Sequence, residues 1–280
     1  MNIQRVLKKY HDIETDLLLS YVLGKPKEFL YLNPTTRLNT AQQKKLLALI
    51  KRRQAGEPIA YILGYKYFYG LKFKVNRQVL IPRPETEWLV DRAVHLFPFV
   101  TAVTKGNKPF RILDLGTGSG CIAISIAKEL QRVDYGRQIV GSDISTSALR
   151  VAKANAQTHG VNVTFVQSDL FKDVPGKFDI ITANLPYVPQ GMYELLYNNL
   201  KYEPKVAITD GGEVWEMYYR FFAQLPKYLK PSGLGLLEID DGSKPDLQKM
   251  LKKLLPEWKT TFTKDLGGLW RYLEIKSPFR

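Results

Sequence analysis

The sequence predicts an α/β fold, with a mostly parallel seven-stranded sheet covered on both faces, preceded by a small helical domain and a β-hairpin linker. Three observations predict it. From residue 110 onward, apolar runs of strand length alternate with longer helical stretches, the pattern of a parallel sheet wrapped by helices. Up to about residue 55 the chain reads as helices, with residues such as Leu46, Leu47, Leu49 and Ile50 forming a buried stripe,. Between them, EPIAYILGYKYFYGLKFKVNRQVLIPRP is rich in Tyr, Phe, Ile and Val and is interrupted by Gly64 and Gly70, as short strands are. The expected boundaries are 1–56 for the helical domain, 57–83 for the linker and 84–280 for the sheet domain.

Taken in order, the first clear helix covers Thr15 to Leu23. It stops at Gly24, with Pro26 just beyond, a normal helix stop. A second helix begins at Thr40, which can cap it, with Gln43 placed as the reciprocal capping partner,. Gly56 ends it. A helix after Pro84 runs from Glu85 to about Leu96. RILDLG is then a strand and SGCIAISIAKEL a helix. QIVGSDI is a strand, followed by STSALRVAKANAQTHG, a helix closed by Gly160. VTFVQSDL and FDIITANLPY are two further strands. GEVWEMYYRFFAQLPKYL is a helix, GLGLLEID a strand and KPDLQKMLKKLL a helix. WKTTFTKDL and LWRYLEIKS finish as an antiparallel pair turning at Gly267 and Gly268.

The bulk composition narrows the class. With 280 residues and 45% hydrophobic content, the chain holds one large domain, or a medium and a small one. No run of about 18 apolar residues is present, so no membrane span is expected. The N-terminal MNIQRVLKKYHDIETD is polar and lacks the features of a signal peptide,. Cys121 is the single cysteine, which excludes an internal disulfide and a Cys-rich metal site and suits a reducing, cytoplasmic setting. Its expected role is packing. His11, His95 and His159 lie far apart and read as surface or packing residues, so no metal site is expected. The formal charge of +14 favours acidic partners such as nucleic acid, the ribosome or an acidic protein. Alternatively the lysines and arginines only solubilise the surface, since they are spread along the chain. The densest cluster, residues 51–53, sits at a helix end, where cations complement the dipole.

DLGTGSG, residues 114–120, joins a strand to its helix. Gly116, Gly118 and Gly120, with Thr117 and Ser119 between them, form a loop that permits close backbone approach to a ligand. The spacing is not that of a pyrophosphate-binding loop. The next strand ends in Asp143, where a carboxylate can accept both hydroxyls of a ribose. A third strand end carries Asp169 and Leu170. The implied ligand contains an adenosine and need not contain phosphates, a description that fits S-adenosylmethionine, with S-adenosylhomocysteine as product. The competing view is that Asp143 and Asp169 are turn or capping residues.

A fourth strand end carries Asn184, Leu185, Pro186 and Tyr187. Planar amide and aromatic-amine nitrogens are poor nucleophiles, and a site that methylates them needs two acceptors aimed at the NH₂ hydrogens. The Asn184 side-chain oxygen and the backbone carbonyl of residue 185 can supply them. Pro186 stiffens the turn, and Tyr187 can stack on a flat substrate group. These four residues are the expected catalytic and substrate-binding set, and Asn184 can also touch the donor. The run resembles the Asn-Pro-Pro-Tyr motif of amino-methyltransferases, with Leu185 as a departure. A backbone carbonyl is available from Leu as from Pro, so the loss is one of rigidity.

The motif does not by itself separate a glutamine amide from an adenine amine. GEPIAYILG at 56–64, YGLKF at 69–73, LIPRPETE at 80–87, YEP at 202–204 and DGG at 210–212 resemble the HemK/PrmC family, the release factor glutamine methyltransferases, over nearly the whole chain. The resemblance implies a Rossmann-like class I S-adenosylmethionine methyltransferase. It implies that Gly116 to Gly120, Asp143 and Leu170 surround the donor, and that Asn184 to Tyr187 hold the glutamine. The implied substrate is the side-chain amide of the glutamine in the Gly-Gly-Gln motif of class I peptide chain release factors. The N-terminal helical domain then helps to recognise the factor. The basic charge suits proximity to the ribosome. No membrane and no direct nucleic-acid substrate are expected, and nothing requires more than a monomer. The family often has an aromatic residue where Leu170 stands, so Leu170 gives the adenine a weaker apolar wall. The alternatives are a glutamine methyltransferase of a ribosomal protein, an adenine-amino methyltransferase of DNA or RNA, and a non-catalytic binder of translation factors.

Overall fold

The computed structural model describes all residues except 12, 104–108, 133–135, 210, 211, 213, 279 and 280. Two residues of the DGG run, 210 and 211, therefore lie outside the described residues. The chain forms two compact units, Met1–Tyr65 and Lys66–Arg280.

The first unit is built from α1 (Ile3–Lys9), α2 (Ile13–Leu23), α3 (Lys27–Leu32), α4 (Thr40–Gln54) and α5 (Ile59–Leu63). Its core gathers Ile3, Val6, Leu18, Leu19, Leu30, Leu46, Leu49 and Ile50. The cap of α4 lies one residue earlier than the sequence suggests. Asn39 accepts from the Gln42 amide, and the Gln42 side chain returns the bond to the Asn39 N–H. Asn and Thr both suit an N-cap, and the frame is decided by which side chain meets the third backbone amide. At the far end of α4, Arg52 makes a bidentate pair with Glu57 and Arg53 pairs with Glu14. The basic run at 51–53 is thus partly neutralised within its own unit. Residues 59–63 form helix α5 where the sequence suggests extended structure. Pro58 precedes its first turn, and Gly64, at φ 81°, ends it,.

The second unit begins inside a hairpin of β1 (Tyr65–Phe68) and β2 (Leu71–Lys74), one residue into β1. Tyr69 at φ 49° and Gly70 at φ 70° make its two-residue turn, both left-handed as a type I′ turn requires. A single 3₁₀ turn, Pro84–Thr86, leads into α6 (Glu87–Val103). The main series follows: β3 (Phe110–Leu115), α7 (Cys121–Leu130), β4 (Arg137–Asp143), α8 (Thr146–His159), β5 (Thr164–Gln167) and β6 (Phe178–Asn184). Two short helices that the sequence reading does not assign, α9 (Gln190–Leu195) and α10 (Tyr197–Leu200), come next. The chain ends with α11 (Val214–Tyr228), β7 (Leu229–Glu238), α12 (Lys244–Leu254), β8 (Lys259–Lys264) and β9 (Trp270–Lys276).

The seven strands are ordered β5-β4-β3-β6-β7-β9-β8. Neighbours from β5 to β7 pair in parallel, and β9 runs antiparallel to both β7 and β8. Strands β3, β6 and β7 are buried along nearly their whole length, as strands covered on both faces are. Successive residues alternate between two cores. Ile112, Ile180 and Leu236 join the cluster under α6 and α7, whereas Leu113, Ile181 and Leu237 join the one under α11 and α12. Strand β7 begins four residues before the predicted start, because Leu229 pairs with Phe178 across an irregularity in the ladder. The order reverses between β3 and β6, and in open α/β sheets a ligand crevice forms at such a switch point, outside the carboxyl ends of the strands. No helix among the described residues is long and apolar enough to cross a membrane.

Candidate active site

A cavity of about 270 Å³ lies at the carboxyl ends of β3, β4, β5 and β6. Gly116, Gly118, Asp143, Asp169, Leu170, Asn184, Leu185 and Pro186, all predicted site residues, line it. The topology accounts for this convergence, since each follows or ends one of four adjacent parallel strands.

The glycine loop is shaped from beneath by Asp114. One oxygen of this buried carboxylate accepts from the Thr117 hydroxyl at 2.6 Å and the Ala123 amide at 3.3 Å; the other accepts from the Thr182 hydroxyl at 3.0 Å. Burial pushes its pKa up to about 6, against the opposing pull of these hydrogen bonds,. Gly116 is left-handed at φ 72°, and a Cβ there would sit 3.8 Å from Leu185 Cδ2 and 3.9 Å from the Asn184 carbonyl oxygen. The loop therefore lies close to the Asn-Leu-Pro-Tyr turn. Asn155 pins the other side of the loop. Its Nδ2 donates to the Ser119 and Lys74 carbonyls, and its Oδ1 accepts from the Lys74 amide.

Asp143 accepts backbone N–H bonds from Gly118 at 2.9 Å and Ser145 at 2.8 Å, one on each carboxylate oxygen. It is thus a turn residue, yet each oxygen retains a lone pair for a ligand hydroxyl. Burial raises its pKa and the backbone donors oppose the shift. Asp169 is engaged by the Arg220 guanidinium. Leu170 is held in the left-handed region at φ 50° while the Ser168 hydroxyl donates to its carbonyl. Strain of this kind in a non-glycine residue collects at ligand sites.

Four predicted residues do not line the cavity. Thr117 turns inward to Asp114, Ser119 is buried, and Gly120, left-handed at φ 81°, sits at the N-cap of α7. Tyr187 packs against the core that contains Tyr218, and burial pushes its hydroxyl up to about 12, with the Glu238 charge adding to the shift. Cys121 is buried and its thiol is likewise raised to about 12, chiefly by burial. It packs, as expected.

The structure adds residues that the sequence reading did not single out. Asn184 Nδ2 donates to Thr86 Oγ1 at 3.1 Å, and the Thr86 hydroxyl donates to Glu238 Oε2 at 2.6 Å. Glu203 pairs with Arg83 and accepts from the Ile81 amide at 3.1 Å. This contact fixes the YEP segment, whose Pro204 lines the cavity, to the IPRP segment. The advance signal for Ile81, Arg83, Thr86 and Glu203 is their place within the runs LIPRPETE and YEP; Glu238 lies in neither run.

The chemistry of the site suits an adenosine-bearing ligand. At about 270 Å³ the cavity falls just below the usual range for ligand pockets,; Asp143 offers free acceptor positions, and Gly116 keeps its wall free of a side chain.

Residues 107–269 match a family described as methyltransferase domain, and residues 7–64 match the PrmC N-terminal domain. A release factor glutamine methyltransferase of Geobacter sulfurreducens is 37% identical over 82% of this chain and 77% of its own length. One from Koribacter versatilis is 34% identical over 95% of this chain and 91% of its own length. Among solved structures, a methyltransferase from Pyrococcus furiosus shares the fold with a TM-score of 0.52 at 20% identity, covering 84% of this chain and 98% of its own.

Proposed function

Because this chain belongs to the release factor glutamine methyltransferases, we propose that it methylates the side-chain amide nitrogen of the glutamine in the Gly-Gly-Gln motif of class I peptide chain release factors. The methyl donor is S-adenosylmethionine, which supplies an electrophilic methyl group when bound. The observation that carries the assignment is the placement of Asn184 and Leu185 on the wall of the cavity that Gly116 and Asp143 also line.

Each residue has a distinct task. Asp143 receives the ribose hydroxyls through its free lone pairs, and Gly116 and Gly118 let the donor lie against the backbone. Leu170 supplies the apolar wall for the adenine. Asn184 Oδ1 and the Leu185 carbonyl accept the two hydrogens of the glutamine amide. They orient its nitrogen and stabilise the positive charge that nitrogen gains in the transition state. The product amide then loses a proton readily, so no side chain is needed as a general base. Pro186 holds the turn. Tyr187, packed against the core beside this turn, is assigned to stack on the flat amide group of the substrate.

The helical unit Met1–Tyr65 is assigned to recognising the release factor. All the residues that line the cavity come from the second unit, so a monomer is sufficient. The basic charge suits work near the ribosome, in the cytoplasm.

The test is transfer of label from S-adenosylmethionine to an intact class I release factor, to the same factor with its Gly-Gly-Gln glutamine replaced, to ribosomal proteins and to nucleic acid. Label in the first alone supports the assignment. Label in nucleic acid or in a ribosomal protein instead would overturn it.

A further inference from the structure

Resting on the glutamine assignment above, we propose that Thr86 and Glu238 set which way the Asn184 amide faces, so that Oδ1 rather than Nδ2 meets the substrate nitrogen. Thr86 is thereby a positioning residue for the reaction.

An asparagine amide is nearly symmetric in shape and opposite in chemistry at its two ends. Only one of its two orientations can serve this reaction. With Oδ1 toward the substrate it accepts a hydrogen of the glutamine NH₂. Turned over, it would present its own NH₂ to that NH₂, two donors with no bond between them.

The chain of contacts behind Asn184 selects the productive orientation. Thr86 Oγ1 lies 2.6 Å from Glu238 Oε2 and 3.1 Å from Asn184 Nδ2. A hydroxyl has one proton, and a carboxylate can only accept. The Thr86 proton is therefore spent on Glu238, and Thr86 turns lone pairs toward Asn184. Only the nitrogen end of the amide can satisfy them. The reversed amide would set Oδ1 against those lone pairs and lose this bond as well. Thr86 and Glu238 are 3% and 2% exposed, which leaves little room for water to substitute for a missing partner.

The fold holds all three groups in place. Asn184 and Glu238 are register partners at the ends of β6 and β7. Thr86 comes from the 3₁₀ turn before α6, and that turn is anchored where the Tyr272 hydroxyl donates to the Glu85 carbonyl and where Tyr272 stacks on Trp88 at 4.2 Å. The relay thus joins segments about 100 and about 50 residues apart in sequence into one orienting device.

The experiment is a steady-state series on an intact release factor with wild type, Thr86→Val, Thr86→Ser and Thr86→Cys, alongside donor binding by calorimetry and thermal melting. Thr86→Val keeps the shape and removes the hydroxyl. It is expected to lower kcat at least about tenfold, which corresponds to ~1.4 kcal/mol, while donor affinity stays within about twofold and Tm falls by roughly 5–10 °C as the buried Glu238 carboxylate loses a donor. Thr86→Ser restores kcat to within about threefold of wild type, and Thr86→Cys, a much weaker donor and acceptor, falls between the two. A folded, donor-binding Thr86→Val with wild-type kcat would overturn the relay. If the valine form does not fold, equal kcat for the serine and cysteine forms overturns it equally. Wild type that binds donor but leaves the glutamine unmethylated would remove the glutamine assignment itself, and the inference with it.

Discussion

The Asp114 carboxylate and the Thr182 hydroxyl meet at 3.0 Å across the β3–β6 pair, so one buried acid ties the strand that carries the glycine loop to the strand that carries Asn184. The cost of that arrangement appears in its titration. Its folded pKa is raised to about 6 from 3.8. An acid whose pKa is raised by folding favours the folded state most below its unfolded value. That contribution is lost as pH climbs through the folded value. Asp114→Asn can keep the network, with Oδ1 on Thr117 and Nδ2 donating to Thr182. Relative to wild type, the variant is expected to gain stability between about pH 4 and pH 6, by roughly 3 kcal/mol at most, and the difference should be flat above that window. Denaturant melts at several pH values would show this, and a difference that does not change with pH would contradict the buried-charge account.

Asn184→Ala should abolish turnover and leave donor binding largely intact, because its Oδ1 is assigned to the substrate nitrogen. Calorimetry with S-adenosylmethionine beside a methylation assay separates the two effects. Collapse of donor affinity in this variant would make Asn184 chiefly a donor residue.

Asp143→Ala should weaken donor binding at least about tenfold, as expected when charged hydrogen bonds to two ribose hydroxyls are lost. Acceptor choice should not change. Unchanged donor affinity would remove the ribose role and leave Asp143 with its two backbone contacts to Gly118 and Ser145.

Leu185→Ala separates a side chain from its backbone. Leu185 is 3% exposed within the larger core, so truncation should cost about 2–4 kcal/mol of stability. The role assigned in catalysis uses only the main-chain carbonyl, so kcat at a temperature where the variant is folded should fall only a few-fold. A loss of activity as deep as that of Asn184→Ala would mean that the side chain itself shapes the substrate site.

Gly120→Ala should be costly. A Cβ at this position would lie 2.7 Å from Ile124 Cδ1 and 3.2 Å from Ala152 Cβ, in a residue at φ 81°. Overpacking and left-handed strain together predict a loss of about 2–4 kcal/mol, with donor affinity reduced as the loop shifts. A variant as stable as wild type would show that the loop tolerates movement.

The sheet and its helices were legible in sequence because each obeys a local period. β3, β6 and β7 are apolar runs, and α8 is closed by Gly160 in the left-handed region, as a C-terminal glycine leads one to expect. The cavity-lining glycines and Asp143 were legible because strand ends on a parallel sheet converge on one edge. What escaped is long-range. Asp114 stood in view within the loop, but nothing local marks it as the acceptor for Thr182, 68 residues away. Thr86, Glu238 and Glu203 gain their roles from partners that sequence spacing does not encode. The short helices α9 and α10 carry no clear start or stop signal, and they present Leu195 at 82% exposure, so they lack the buried stripe from which helices are read. Asn39 and Thr40 are both good caps, so local sequence leaves the α4 cap open by one residue, and only the bond to Gln42 decides it.

The most direct test of the central claim is peptide mass spectrometry of a class I release factor after incubation with this protein and S-adenosylmethionine. One added methyl group is expected on the glutamine of the Gly-Gly-Gln peptide, and none when Asn184→Ala replaces the wild type. An unmodified Gly-Gly-Gln peptide, from protein shown to bind the donor, would contradict it.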